Sequence, residues 1–445
     1  MTNLARTIEL RPAILLVVSG IVGSGVFKKV APMAAELGSP LLIIACWVAA
    51  GLVSLAGALT YAEMAGMFPQ SGGEYVYFRN VYGRLFAFLY GWGAFTVVRT
   101  ATIAALAHIF GQSLIALLGL GNESVELAVK GVATLLISML GFVNYRGVTV
   151  AEGLSRALIY LTFAAVAIIA LIGFSTESGR LAHLTQSIQP VKTTGSSLLG
   201  SLVVASLGAF WGYDGWNQIS YIGEEVKNPQ RTLPLALSVG TSIVIGIYVL
   251  LNVVYVYVLP IEDLARLAST PGKIAAVEVV RQAAGGVGAT FISVLILITT
   301  SNSTNASILM PARVFYAMAR DGLFFKAAAV IHPRYQTPSV AILLQVSWAL
   351  ILVWSGSFDQ LTDMLVFASF IFYGATALGV LLMRHRQPDR ERPYRVIGYP
   401  FVPIFFGGCC ALLVVMTLIN QPREALTGLG LIATGLPFYW FWRKR

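Results

Sequence analysis

PAILLVVSGIVGSGVF, residues 12–27, is apolar along most of its length, yet Ser19-Gly20 and Gly23-Ser24-Gly25 fall in its middle. Each glycine weakens a helix by roughly 1 kcal/mol relative to alanine. The run therefore reads in one of two ways. It is a membrane helix that packs closely on a neighbour through small residues, or a helix that stops and restarts. SLVVASLGAFWGYDGWNQISYIG, residues 201–223, poses the same question, because Gly212-Tyr213-Asp214-Gly215 sits at its centre. A carboxylate near the bilayer midplane costs about 2.5–3.5 kcal/mol on insertion scales, so Asp214 is a functional candidate. The plainer reading is an acid that satisfies amides freed by a helix break.

Outward from these two stretches, the chain reads as a polytopic helical membrane protein. Of its 445 residues, 57% are hydrophobic and 11% charged, and the mean hydropathy is +0.77. A soluble domain carries about 25% charged residues, so an ordinary soluble enzyme is excluded, and so is disorder. A span needs about 20 apolar residues. Twelve candidates follow: 12–35, 39–66, 85–118, 125–144, 151–174, 194–222, 233–260, 283–318, 338–356, 359–383, 399–420 and 425–442. The loops are short, which predicts one transmembrane domain over 1–445 and no large soluble domain. No removable signal peptide is read at the start.

The net charge of +10 would suggest nucleic acid in a soluble protein. Here the positive-inside rule explains it, with no nucleic-acid partner. Two-thirds of the 30 Lys and Arg residues fall on one side of the predicted spans, most densely in RHRQPDRERPYR at 384–395. Both termini are thus expected in the cytoplasm. Cys46, Cys409 and Cys410 lie in apolar runs and read as packing residues rather than disulfides or metal ligands. No metal or other cofactor is expected.

The two interruptions lie about 190 residues apart, and each opens a block of five spans. Matching Gly-interrupted segments in two halves point to a transporter binding site. An odd number of spans per block requires the halves to be inverted: repeat one over 12–174, repeat two over 194–384, and two further helices over 399–442. A broken helix exposes amides where it restarts and carbonyls where it stops, with roughly half a charge at each end. A zwitterion needs both signs at membrane depth. The amides of Gly23, Ser24 and Gly25 would take a carboxylate, and carbonyls near Ile21 and Trp211 an ammonium, with glycine allowing close approach.

These motifs resemble the L-amino-acid transporter branch of the amino acid–polyamine–organocation superfamily over nearly the whole chain. GSGVF (23–27), YAEMAGMFPQSGGEYVYFRNVYG (61–83), YDGWNQISYIGEEVKNPQRTLP (213–234) and IFYGATALGVLLMRHRQPDRERPYRVIGYPFVP (371–403) carry the resemblance in order. It implies an all-α, five-plus-five inverted-repeat fold of twelve transmembrane helices, with helices 1 and 6 broken. It also implies exchange of amino acids across the membrane, usually without sodium. The substrate would meet Ile21, Val22, Gly23, Ser24, Gly25, Phe210, Trp211, Gly212, Tyr213, Asp214 and Asn305, with Trp211 as the gate. Trp211 stands where bulkier-substrate members often have Phe. Asn305 aligns with an Asn eight residues before an Arg, here Arg313; otherwise it is a helix–helix hydrogen-bonding residue.

Two departures from the family stand out. A fifth-span lysine that takes the place of sodium in several members aligns with Leu158, two residues after Arg156. This keeps open a proton- or sodium-coupled symporter, for which Ser301, Ser303 and Thr304 offer oxygens. The loop LGLGNESVE (118–126) lacks the cysteine that bonds a heavy-chain glycoprotein in mammalian members. A free-standing prokaryotic protein of the inner membrane, with no such partner, is therefore expected.

Other polar residues read less sharply. Arg99 lies on the substrate pathway, pairs with an acid to close a gate, or sits in a wetted part of its helix. Glu63 reads as a structural partner, Glu152 and Arg156 as a helix pair, and His108 as packing rather than a proton relay. PFYWFWRKR (437–445) reads as an interfacial belt. No cluster of enzymatic type or filter-like repeat appears. Neutral L-amino acids are the expected substrates.

Overall fold

The computed structural model describes residues 6–23, 25–120, 125–191, 197–270, 273–355 and 358–443. Ser24, the Glu152 side chain and part of the 118–126 loop lie outside the described residues. The described chain is helical, with a single isolated bridge between Ile8 and Val226. In order, the α-helices are α1 (Leu10–Ile21), α2 (Gly25–Lys28), α3 (Val30–Leu37), α4 (Pro40–Met67), α5 (Glu74–Val81), α6 (Arg84–Gly93), α7 (Arg99–Leu117), α8 (Val125–Arg146), α9 (Val148–Ser175) and α10 (Leu198–Tyr213). Then come α11 (Pro229–Val258), α12 (Ile261–Leu267), α13 (Ala275–Leu309), α14 (Ala312–Arg320), α15 (Ser339–Ser355), α16 (Phe358–Arg386), α17 (Phe401–Asn420), α18 (Pro422–Ala433) and α19 (Gly435–Arg443).

Among the described residues, ten helices are long and apolar enough to cross a membrane, against the twelve spans expected. The difference lies in the sixth and ninth. The sixth is the sixteen-residue α10, which ends at Tyr213, and the ninth is the shorter apolar α15. The predicted loop 261–281 contains α12 and the start of α13. Gly285, at φ 66°, turns the chain inside α13 before the apolar part begins, a conformation open to glycine and few other residues.

The packing centres on α4, α11 and α1, with α13 laid against α7 and α9. Helices this apolar have no hydrophobic reason to associate within lipid. Small residues that let backbones approach supply much of the drive: Gly240 of α11 lies against Val17, and Gly51 of α4 against Tyr213. Between α6 and α7 the chain widens into a π-turn, Ala94–Val98. The Thr100 hydroxyl donates to Phe95 O at 2.6 Å across it. Such a turn shifts the phase of the residues that follow, and Arg99 is the first of them.

The side that carries the basic loops is tied together. Ile8 N donates to Glu225 O at 3.0 Å, and Lys227 N to Ile8 O at 2.8 Å. Arg313 is fully buried against Glu225, at 2.9 Å. Glu63, also fully buried, takes Arg384 at 2.6 Å, Arg392 at 3.4 Å and the Val396 amide at 2.8 Å. It thus holds the 384–396 loop to the end of α4.

Candidate functional site

Helix α1 ends at Ile21, and Val22 is extended (φ −71°, ψ 95°). The chain is helical again from Gly25, continuing into α3 through Lys29 N to Gly25 O at 2.9 Å. Helix α10 ends at Tyr213. Asp214 is extended (φ −61°, ψ 149°), Gly215 is left-handed at φ 105°, and a 3₁₀ helix runs from Trp216 to Glu225. The Asp214 carboxylate is free there to bond outside the helix.

The two interruptions touch. A β-carbon on Gly25 would fall on Gly212 Cα and stand 3.0 Å from Gly212 N; one on Gly20 would stand 3.1 Å from Gly215 O. Trp211 lies over Gly25, with its Cδ1 3.4 Å from the same point. Gly23 faces Leu106 of α7 and Ser303 of α13. Backbones meet this closely only where neither residue carries a side chain.

Side chains from neighbouring helices cap the exposed carbonyls. The Tyr248 hydroxyl of α11 lies 2.9 Å from both Ile21 O and Gly212 O, sharing its proton between the two helix ends. Ser303 of α13 reaches Val22 O at 2.5 Å and Ser19 O at 3.1 Å. Ile21 O keeps a second lone pair. Trp211 O accepts from Asp214 N at 3.2 Å.

Asp214 faces away from solvent into a buried network. Its carboxylate takes Arg99 Nη1 at 3.2 Å and the Tyr373 hydroxyl at 2.7 Å. Arg99, 2% exposed, also donates to Asn217 Oδ1 at 3.3 Å and lies over the Tyr221 ring at 5.5 Å. The wetted-helix reading of Arg99 is thereby corrected, and the acid-pair reading describes its contacts. A carboxylate at this depth is affordable because a guanidinium and a phenol share its charge.

Not every residue expected at the site meets there. Ile21, Val22, Gly23, Gly25, Trp211 and Gly212 do. Tyr213 turns towards α4 and α11, with its ring 5.8 Å from Trp47 and 5.0 Å from Tyr248. Phe210 packs on Phe370 of α16 at 4.8 Å. Asn305 accepts from Asn144 Nδ2 at 2.8 Å and donates to Ser155 Oγ at 3.0 Å, joining α13 to α8 and α9. Two residues make roughly 200° of helix, so Asn305 and Ser303 project from opposite faces of α13. His108 Nε2 lies 3.2 Å from Val353 O, a contact between α7 and α15. Tyr248 and Tyr373 were missed: a tyrosine in an apolar span reads as packing until its partner is known. Among the described residues, no three His, Cys, Asp or Glu side chains gather as metal ligands do.

On the face opposite the basic loops, an open cavity of about 410 Å³ is bordered by Lys29, Glu36, Val204, Gly208, Asp363 and Gln421. Gly208 lies one turn before Trp211 on α10 and faces the Lys29 stem, which a β-carbon at Gly208 would meet at 3.4 Å.

Comparison with known proteins adds a finding of another kind. The sequence profile of a family described as amino acid permease matches residues 8–441. The human b(0,+)-type amino acid transporter 1 is 30% identical over 444 residues, covering 98% of this chain and 88% of its own. The serine/threonine exchanger SteT of Bacillus subtilis is 29% identical over 445 residues, covering 100% and 98%. The human cystine/glutamate transporter is 28% identical over 446 residues, covering 100% and 87%.

Proposed function

The chain belongs to the amino acid permease family, and from that premise we propose that it exchanges amino acids across a membrane by alternating access. The observation that carries this reading is the contact of Gly25 with Gly212, which sets the restart of one interrupted helix beside the end of another. Opposite helix-end charges then lie within reach of one small zwitterion. Amides of Gly23, Ser24 and Gly25 hold its carboxylate. Carbonyls at Ile21 and Gly212, aimed by Tyr248, hold its ammonium. Trp211, packed on Gly25, is the gate that closes over it. The names of the relatives above, two of them an exchanger and a cystine/glutamate transporter, support the same class of activity.

The substrates are neutral L-amino acids. Asp214, the carboxylate nearest the interruptions, is committed to Arg99 and Tyr373. A cationic side chain would have to displace a guanidinium, and an acidic one would have to displace Asp214 itself. The architecture is twelve spans in two inverted blocks, 12–174 and 194–384, with 399–442 outside them. Both termini lie in the cytoplasm of a bacterial inner-membrane protein that works without a heavy chain. The basic loops on one side and the absence of cysteine from 118–126 support this arrangement.

The test uses proteoliposomes of purified protein loaded with labelled amino acid. Efflux should require unlabelled amino acid outside, and a panel of twenty should rank neutral residues first. Trp211→Ala should stay folded and lose most of this exchange. Uptake into empty vesicles driven by a pH or sodium gradient would instead indicate symport. Wild-type rates in Trp211→Ala would remove the gate.

A further inference from the structure

Glu74 opens α5, the short helix between the spans α4 and α6–α7. It is fully buried. Its Oε1 accepts from Asn217 Nδ2 and, at 3.5 Å, from the Tyr221 hydroxyl; among the described residues its Oε2 has no hydrogen-bond partner. The same Asn217 accepts from Arg99 on its carbonyl side. One amide therefore bridges Glu74 to the cation that Asp214 holds.

The ionisable groups around Glu74 are few. Tyr90 of α6, Tyr61 of α4, Tyr77 of α5 and Tyr221 of the 3₁₀ helix face it. Arg99 of α7 is the cation acting on it. On α14, Arg313 is committed to Glu225; on α16, Tyr373 is committed to Asp214. The cluster thus contains two carboxylates, Asp214 and Glu74, and one guanidinium. In a buried site an uncompensated charge is expensive, and a carboxylate with one bare oxygen is more costly than the neutral acid.

We propose that Glu74 is a proton-binding site and the alternative counter-ion of Arg99, occupied by a proton while Arg99 is held by Asp214. When Arg99 leaves Asp214, Glu74 releases its proton to water on the basic-loop side and takes up the guanidinium through or in place of Asn217. One O–H bond at Glu74 breaks and its proton goes to water; Arg99 meets the charge left there, while Asp214 keeps the Tyr373 hydroxyl and the cluster as a whole gains one negative charge. Burial pushes the Glu74 carboxyl up to about 7, against the pull of Arg99, so the exchange of partners falls in the physiological range. Linkage is reciprocal. Acid holds Arg99 on Asp214, the arrangement in this structure; base gives Arg99 a competing anion and loosens the network next to the second interruption.

This inference rests on the exchanger reading, and its test separates the two. Two measurements are made on the purified full chain in lipid. Infrared difference spectroscopy across about pH 6 to 8 should show a protonated-carboxyl band that titrates in wild type and is missing in Glu74→Gln. Amino acid exchange should rise with pH on the basic-loop side, by up to about tenfold, following the ionised fraction of a group that titrates near 7. Glu74→Gln keeps the shape of the neutral acid, so its exchange should sit at the low-pH value and be flat. Glu74→Asp should keep a pH dependence. A Glu74→Gln profile that follows wild type overturns the proposal. So does a wild-type spectrum with no titrating carboxyl, which decides the matter even if the variant does not fold. Wild-type flux that ignores the opposite amino acid would sink the exchanger reading and leave the infrared result to judge the proton site alone.

Discussion

At the scale of single residues, the site is an arrangement of backbone that two kinds of side chain make possible: those that are absent and those that cap. Gly25 is the absent kind. Alanine there would press its methyl into the Gly212 backbone, which cannot rotate aside. Overpacking of this sort costs about 1–3 kcal/mol. Gly25→Ala should lower the thermal midpoint in detergent and remove most exchange, because the two interruptions must separate to admit the methyl. Tyr248 is the capping kind. Tyr248→Phe leaves Ile21 O and Gly212 O without their shared donor, a loss of about 1–3 kcal/mol. The protein should still fold, with exchange reduced and apparent substrate affinity altered; an unchanged affinity would show that the hydroxyl does not shape the proposed ammonium seat. The glycines were legible in the sequence because glycine in an apolar helix calls for a reason. Tyr248 was not, because YVLLNVVYVYV at 248–258 offers several tyrosines, and only the packing of α11 against α1 selects one.

At the scale of elements, the interrupted helices need a fixed frame on at least one side. The N-terminal segment pairs with the end of the 3₁₀ helix through Ile8, Glu225 and Lys227, and Arg313 at the start of α14 anchors Glu225. Removing one partner of a buried ion pair leaves the other charge uncompensated, at about 3–5 kcal/mol. Glu225→Ala should therefore be strongly destabilising. Glu225→Ala with Arg313→Leu should recover a large part of the loss while the basic-loop side stays easier to open. Chemical unfolding of the single and double variants checks this; a double variant no better than the single would mean that the pair is not the anchor. Element positions were mostly readable from hydropathy. What escaped was geometry that apolar residues do not encode: the turn at Gly285, and the π-turn that sets the phase of Arg99. Arg99 could be singled out as an odd charge in a span, but its partner lies 115 residues away.

At the scale of the whole molecule, the two faces differ. The basic-loop side is closed by the Ile8–Val226 bridge, by Arg313 on Glu225 and by the Glu63 clasp on the 384–396 loop. The opposite side is hollowed beside α3, α10 and α12. Alternating access requires that this asymmetry reverse during a cycle, and a ligand can only shift such an equilibrium by binding the two states differently. Single cysteines report it, in a background where Cys46, Cys409 and Cys410 are replaced. Val204→Cys, at the cavity, should react quickly with an impermeant maleimide applied from the side opposite the basic loops. Ile8→Cys, 1% exposed, should be protected from the basic-loop side. Amino acid supplied on the basic-loop side should slow the first reaction and speed the second, by the same shift in population. Both cysteines speeding up together would mean that the faces open independently, as in a channel, and the coupling between the two interruptions would have no work to do.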